Sequence, residues 1–377
     1  MLALPLTMLA LLGCGGCSDQ QIQGDGPTLE QPRNLGRWLS MAVLDDGKPA
    51  IAYYDVDMDA LGYAVGTVRD DGGVSWSHEK VDSYPDSSGL NPGDAGWYAS
   101  LAIGKDGSPW IAYQDRTNGT LKVAHKVEGA WTTVNADRSA GIGRSEAGLW
   151  ASLAIDPSGN PMVAHYDKAA GALRVARWNG TEFTGEVVYA GEPVTSGSTT
   201  TPGDAGAYAK LRFAPDGTPT IAFYDAARGA LRLARHAGDA WQVEIVDDVG
   251  DVGAWPDVVF DGTVTRIAYQ DVGAQDLKVA AGTPGTWRTE VVDSGDYVGA
   301  DAAMFLDGTD LGILYFDGIR NDMKLARRSG AEWVTSTVAG DDGALGYHNE
   351  TVKIGGVRYV ACYDYTKKTP WFAPLPG

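Results

Sequence analysis

The chain has 377 residues, and its 49 Asp and Glu against 30 Lys and Arg give a formal net charge of −19. That balance argues against nucleic acid as a partner, since neutralising phosphates needs basic patches. Its length would ordinarily suggest two or more domains, but fifty Gly, twelve Trp and seventeen Tyr suit many short strands joined by tight turns.

In chain order, residues 1–12 form an uncharged apolar run, too short for a spanning helix but suited to a signal-peptide core. Leu11-Leu12-Gly13-Cys14 follows and resembles the lipobox of bacterial lipoproteins. The resemblance implies a signal peptide over 1–13, lipidation of Cys14 and a flexible tether over 14–24. It also implies export with a membrane contact through the lipid alone. No Asp directly follows Cys14, which by the sorting rule for such proteins favours the outer membrane or cell surface. A chance Gly-Cys after an apolar stretch is the alternative.

From there the chain repeats itself. IAYYD at 51–55, IAYQD at 111–115, VAHYD at 163–167, IAFYD at 221–225, IAYQD at 267–271, ILYFD at 313–317 and VACYD at 360–364 are seven copies of one pattern. Their closing Asp residues (Asp55, Asp115, Asp167, Asp225, Asp271, Asp317 and Asp364) lie 46 to 60 positions apart, a period that signals propeller blades. Each repeat reads as four strands. In the third, Trp150 to Ile155, Met162 to Tyr166, Leu173 to Arg177 and a segment around Phe183 and Val187 are separated by turn residues. Asp-Gly marks the first turn in most repeats, as at Asp46-Gly47 and Asp216-Gly217, where a tight hairpin needs positive φ.

The seventh repeat stops after three strands. Counting back from Trp38 by the spacing of later repeats places residues 26–31 as the missing outer strand, which would remove the open edge of a row of blades. The expected fold is therefore all-β, a seven-bladed β-propeller of four-stranded antiparallel blades over residues 25–377, its ring closed by an N-terminal strand that completes the last blade. Only Cys362 lies within it, so no intrachain disulfide is expected there, and Cys362 reads as a buried small hydrophobe.

Candidate chemistry comes in two acidic series. The seven Asp residues that end the second strands read mainly as caps of their own turns. Lys122, Arg174, Arg232, Lys278 and Lys324 stand across the hairpin as cross-strand ion partners. The second series precedes the first strands: Asp94, Glu146, Asp204, Asp251, Asp296 and Asp342, followed by Trp97, Trp150, Tyr208, Trp255 and Tyr347, with Trp38 in repeat one. In a propeller these loops gather at one mouth of the central channel. Aromatic faces stack on sugar rings and carboxylates accept hydrogen bonds from hydroxyls. Trp97, Trp150, Tyr208, Trp255, Asp94, Glu146, Asp204 and Asp251 are therefore the candidate ligand-binding set. Turn capping and gap filling between blades is the alternative. Loops 84–96 and 190–206 are the longest linkers, 137–148 is intermediate, and long insertions on a rigid ring are where binding resides.

No cofactor is expected. Asp55-Val-Asp57-Met-Asp59 opens like a calcium loop but has Ala60 where the turn Gly belongs and no Glu at the twelfth position. His78, His125, His165, His236 and His348 lack metal-ligand spacing.

The repeats SLAIGKDGSPWIAYQDRTNGTLKVA and KLRFAPDGTPTIAFYDAARGALRLA resemble those of bacterial secreted propellers of the sialidase-like and fucose-specific-lectin superfamilies. The resemblance implies the fold and leaves two functional expectations. One is a surface-anchored, non-catalytic propeller that binds glycans or a protein partner; the other is a glycoside-acting hydrolase or lyase. The turns at Glu128-Gly-Ala-Trp131 and Ser329-Gly-Ala-Glu-Trp333 are similar to the sialidase Asp box but lack its Ser-x-Asp-x-Gly order, and no sialidase arginine triad matches. Non-catalytic binding is therefore the first expectation.

Overall fold

The computed structural model describes residues 33–375 apart from 71, 87, 140–145, 341 and 342. The expected signal peptide, lipidated Cys14, tether and closing strand at 26–31, together with Asp342, lie outside the described residues. Within them, six sheets of four strands follow one another in simple up-and-down order, and a three-stranded sheet comes last. Blade one runs Leu35–Val43, Pro49–Asp55, Ala60–Val68 and Val74–Asp82; blade seven runs Tyr347–Ile354, Val357–Asp364 and Thr369–Pro374. The long linker 190–206 carries a hairpin of its own, Val194–Ser196 with Thr199–Thr201. β-Branched residues at these positions and Gly197 at φ 60° in the turn explain it.

Burial peaks in the second strand of a blade and falls toward the rim. Every residue of the second strand Pro49–Asp55 is buried because it has neighbours on both faces, whereas the outer strand Ala130–Asp137 is mostly exposed. Seven apolar clusters form the core, and each straddles two adjacent blades. One of them joins Leu35, Ile51 and Tyr53 of blade one to Ala361 and Phe372 of blade seven. With Leu35 N–H donating to the Lys368 carbonyl at 3.0 Å, the first and last blades meet directly and the ring is closed.

The buried Asp residues that end the second strands cap their turns: Asp115 accepts from Asn118 N–H at 2.9 Å and Asp271 from Ala274 N–H at 2.8 Å. The basic residues across the hairpin meet the expected Asp in three repeats, Lys122 with Asp115, Arg232 with Asp225 and Lys278 with Asp271, but most have a shorter contact elsewhere. Lys278 lies 2.6 Å from Asp247, at the end of the preceding blade's outer strand, and 3.6 Å from Asp271 of its own hairpin. Lys122 with Asp82, Arg174 with Asp137 and Lys324 with Asp293 repeat the inter-blade choice; Arg232 with Asp225 alone stays within its hairpin. The same acids accept a hydrogen bond from the next blade's second strand, through Tyr113, His165, Tyr269 or Tyr315. The outer-strand Asp is thus a tie between blades, out of reach of a hairpin-only reading.

Burial alone would raise the pKa of these acids, but the hydrogen bonds they accept bring Asp137, Asp247 and Asp293 below the ordinary 3.8. A folded pKa below the unfolded one contributes stability that is present above the unfolded value and lost as pH falls through the folded value. Thermal melts followed by circular dichroism are therefore expected to hold steady on acidification to about pH 4 and to fall steeply below it. A melting temperature that declines evenly from neutral pH would contradict the ties.

Candidate functional site: an axial collar

The first strand of each blade starts on the preceding blade, kinks, and turns down the axis. In blade one Arg37 pairs with Tyr54 but Ser40 with Ala52, a one-residue bulge, and the shift recurs between Trp97 and Ser100, Ala207 and Lys210, Ala254 and Asp257, Ala300 and Ala303, and Tyr347 and Glu350. Two residues before each kink stands a glycine, from Gly36 to Gly346. Gly96 must be one, since a Cβ would come within 2.9 Å of Leu61 Cα in the neighbouring blade.

At the kink itself the backbone is left-handed. Trp38, Tyr98, Trp150, Tyr208, Trp255, Asp301 and His348, one per blade, have φ between 47° and 56°. Together they encircle a cavity of about 150 Å³ on the ring axis. Successive ring centroids are 6.1 Å apart from His348 to Trp38, then 5.2, 5.3, 4.6 and 4.4 Å on to Trp255, with interplanar angles of 40–51°. That is close to the ~51° turn from one blade to the next, so the rings overlap like the leaves of an iris. Blades six and seven break the pattern: His348 Nδ1 lies 3.7 Å from Asp301 Oδ1. Burial holds His348 below its ordinary pKa and pushes Asp301 up, each shift partly opposed by the other group.

Beneath the collar, the residue two places further on ties the strand to a later blade in four of the seven repeats. Ser40, Ser100 and Ser152 accept from the N–H of Leu101, Leu153 and Leu211 at 2.9–3.1 Å, and Asp257 accepts from Met304 N–H at 2.8 Å. The remaining places hold Lys210, Ala303 and Glu350. Lys210 and Arg212 face Asp257 at 3.6 and 3.2 Å, and burial raises the carboxyl of Glu350 against the pull of those two cations.

Of the sequence-selected residues, Trp150, Tyr208 and Trp255 line the cavity and Trp97 does not. Trp97 packs on Trp38 at 4.1 Å, under the Arg116 guanidinium at 4.4 Å, and donates to Asp94 at 2.8 Å; Tyr98 takes its blade's place in the collar. Blade seven likewise places His348, with Tyr347 beside it. Asp94, Asp204 and Asp251 accept from Tyr54, Tyr166 and Tyr224 of the preceding blade at 2.5–3.0 Å, so they join blades. Glu146 is exposed and lies 3.7 Å from Lys168. The Asp55, Asp57 and Asp59 carboxylates meet separate donors in Arg33, Asn34 N–H and Tyr54. The described residues hold no cluster of three or more His, Cys, Asp or Glu suited to a metal. Cys362 is buried and its thiol is pushed up to about 12.

Trp38, Tyr98, Asp301, His348, Lys210 and Glu350 were not in the selected set. The signal for the first four was in the sequence. Gly-x-axial recurs as GRW, GWY, GLW, GAY, GAW, GAD and GYH, and aligning on the glycine rather than on the aromatic residue finds Tyr98, Asp301 and His348 at once.

No known family profile matches the chain, and no curated protein matches it in sequence. Among solved structures, the polysaccharide lyase Uly1 superposes with a TM-score of 0.55 at 9% identity, covering 89% of each chain. The dihydro-heme d1 dehydrogenase NirN superposes with a TM-score of 0.53 at 12% identity, over 89% of this chain and 66% of that one. A fucose-specific lectin from Aleuria aurantia gives 0.47 at 15% identity, over 80% of this chain and 95% of the lectin. What the first two share with this chain is the fold. A lyase and a dehydrogenase on similar propellers leave function to be argued from the collar.

Proposed function

We propose that the chain is a non-catalytic glycan-binding propeller whose ligand enters the axial collar. One observation carries the reading. All seven kinks hold a non-glycine residue in a left-handed conformation that glycine would adopt with less strain, and five of the seven are Trp or Tyr. Bulky rings retained against a backbone preference, around a cavity, point to a use for the rings. Sugars present apolar faces and hydroxyl edges, which match ring faces above and Ser, Lys and Glu below. The test is an array of neutral and acidic glycans probed with the full chain; no specific binding would sink the proposal.

A second reading, glycan cleavage, is favoured by the Asp301–His348 pair and Glu350, repeat-breaking polar groups that converge on the axis. The discriminating measurement is release of new reducing ends from an array-positive glycan, with Asp301→Asn and His348→Gln as variants. Binding without release supports the first reading; release that both variants abolish supports the second.

We further propose lipid anchoring at Cys14, supported by the Leu-Leu-Gly-Cys motif. Cys14→Ser is expected to abolish acyl labelling and move the protein out of the membrane fraction. Unchanged labelling would refute the anchor.

A further inference from the structure

The face that carries the mouth is lopsided. Where the linker into each blade meets that blade's second-to-third-strand turn, one backbone hydrogen bond recurs. Arg116 N–H donates to the Asp94 carbonyl at 2.8 Å, Lys168 to Glu146 at 3.0 Å, Val272 to Asp251 at 2.7 Å, Gly318 to Tyr297 at 2.8 Å and Tyr365 to Ala344 at 2.9 Å. In blades two and three the paired residues are ions, with side-chain contacts at 3.2 and 3.7 Å. In blades five to seven the partners are Val272 with Asp251, Gly318 with Tyr297 and Tyr365 with Ala344, so neither member of these pairs is a cation and each pair brings an apolar or aromatic side chain to the face. Val249, Val272, Tyr297, Ile319 and Tyr365 are 75%, 38%, 55%, 56% and 52% exposed, all on loops of the mouth face. The longer linkers lead into blades two to four, and the arc over blades five to seven is reached by shorter ones.

Resting on the glycan reading, we propose that the arc over blades five to seven continues the axial site and holds further sugar rings of a chain that has one ring in the collar. Continuity argues for it. Tyr347 adjoins His348 of the collar and lies 5.5 Å from Tyr365 and 4.3 Å from Phe316, an aromatic row leading outward. Tyr297 is four residues up its strand from Asp301, at most about 13 Å away. The turns that carry the arc are short and hydrogen-bonded, so the backbone that presents its side chains is set without a ligand. A protein partner fits less well, because a stable interface needs about 800 Å² and 20–30 residues a side. The arc offers five large apolar side chains, two of them Tyr, which give both an apolar face and a hydroxyl.

The probe is a series of cello-, chito- and galacturonan oligosaccharides from the single sugar upward, titrated calorimetrically against the full chain. The variant is Tyr297→Asn with Tyr365→Ala; Asn is chosen because Tyr297 sits at φ 57°, which Asn tolerates. Wild-type affinity is expected to rise with oligomer length. The double variant should lose about tenfold or more on the long members and nothing on the shortest that binds, at an unchanged melting temperature. Binding that Trp150→Gly weakens but that is independent of length, or indifferent to the double variant, overturns the arc and leaves the collar standing. No binding by any member of the series or by the array overturns both. A wild type that sediments as a dimer, with a monomeric double variant, makes the arc a contact between copies and overturns the proposal.

Discussion

Asp137→Ala is expected to cost about 3–5 kcal/mol of folding stability, the largest single-site loss among the inter-blade ties, because it strands a buried cation. The carboxylate closes blade two onto blade three. It accepts from Arg174 Nε at 2.8 Å and Nη2 at 3.0 Å, and from His165 Nε2 at 3.0 Å. His165 Nδ1 accepts Gly148 N–H at 3.1 Å, which fixes the hydrogen on Nε2. The side chains of Arg174 and His165 are 8% and 0% exposed, so neither reaches water without a rearrangement of the junction. Gly185 belongs to the same design, since a Cβ there would sit 2.4 Å from an Asp137 oxygen. Asp82→Ala is the internal control. Its partner Lys122 is 16% exposed and has a flexible stem that can reach solvent, so the loss should be smaller. Denaturant midpoints for the two variants check the order. A loss below about 1 kcal/mol for Asp137→Ala would mean that Arg174 escapes to water and that the tie is weak.

The repeats were legible because strand order and turn chemistry are local. Asp-Gly at the first hairpin and apolar alternation in the second strand specify a blade without reference to its neighbours, so the blades and their number follow from reading along the chain. The ties between blades were not legible in that way. Asp247 and Lys278 are 31 positions apart, and hairpin logic assigns Lys278 to Asp271 instead. The collar was half legible. Aromatic residues drew attention to Trp150, Tyr208 and Trp255, but in blade two they pointed to Trp97 rather than Tyr98, because hydrophobicity does not distinguish a residue at a bulge from the one before it. The glycine two positions upstream does. It is required by close backbone approach, as at Gly253, where a Cβ would lie 2.6 Å from Leu231 Cα. Asp301 and His348 became visible only when the kink, rather than residue type, defined the series.

Trp150→Gly is expected to separate binding from folding more cleanly than the usual truncation to Ala. Trp150 holds φ at 47°, so Ala there would keep the left-handed strain while removing the ring, and a fall in stability would confuse the result. Glycine relieves strain of roughly 1 kcal/mol, which offsets part of the packing that the indole makes with Tyr98, Tyr166 and Tyr208. If the collar binds sugar by stacking, the Gly variant should bind an array-positive glycan about 1–3 kcal/mol more weakly, with a smaller fall in melting temperature than Trp150→Ala shows. Trp97→Ala supplies the contrast. Trp97 lies outside the cavity and packs on Trp38 and Arg116, so its removal should lower stability and leave affinity little altered. Isotherms and melts on the same two variants decide the matter. A Gly variant with intact affinity and reduced stability would make the collar a structural plug. The retained left-handed strain would then serve the closing of the ring and not a ligand.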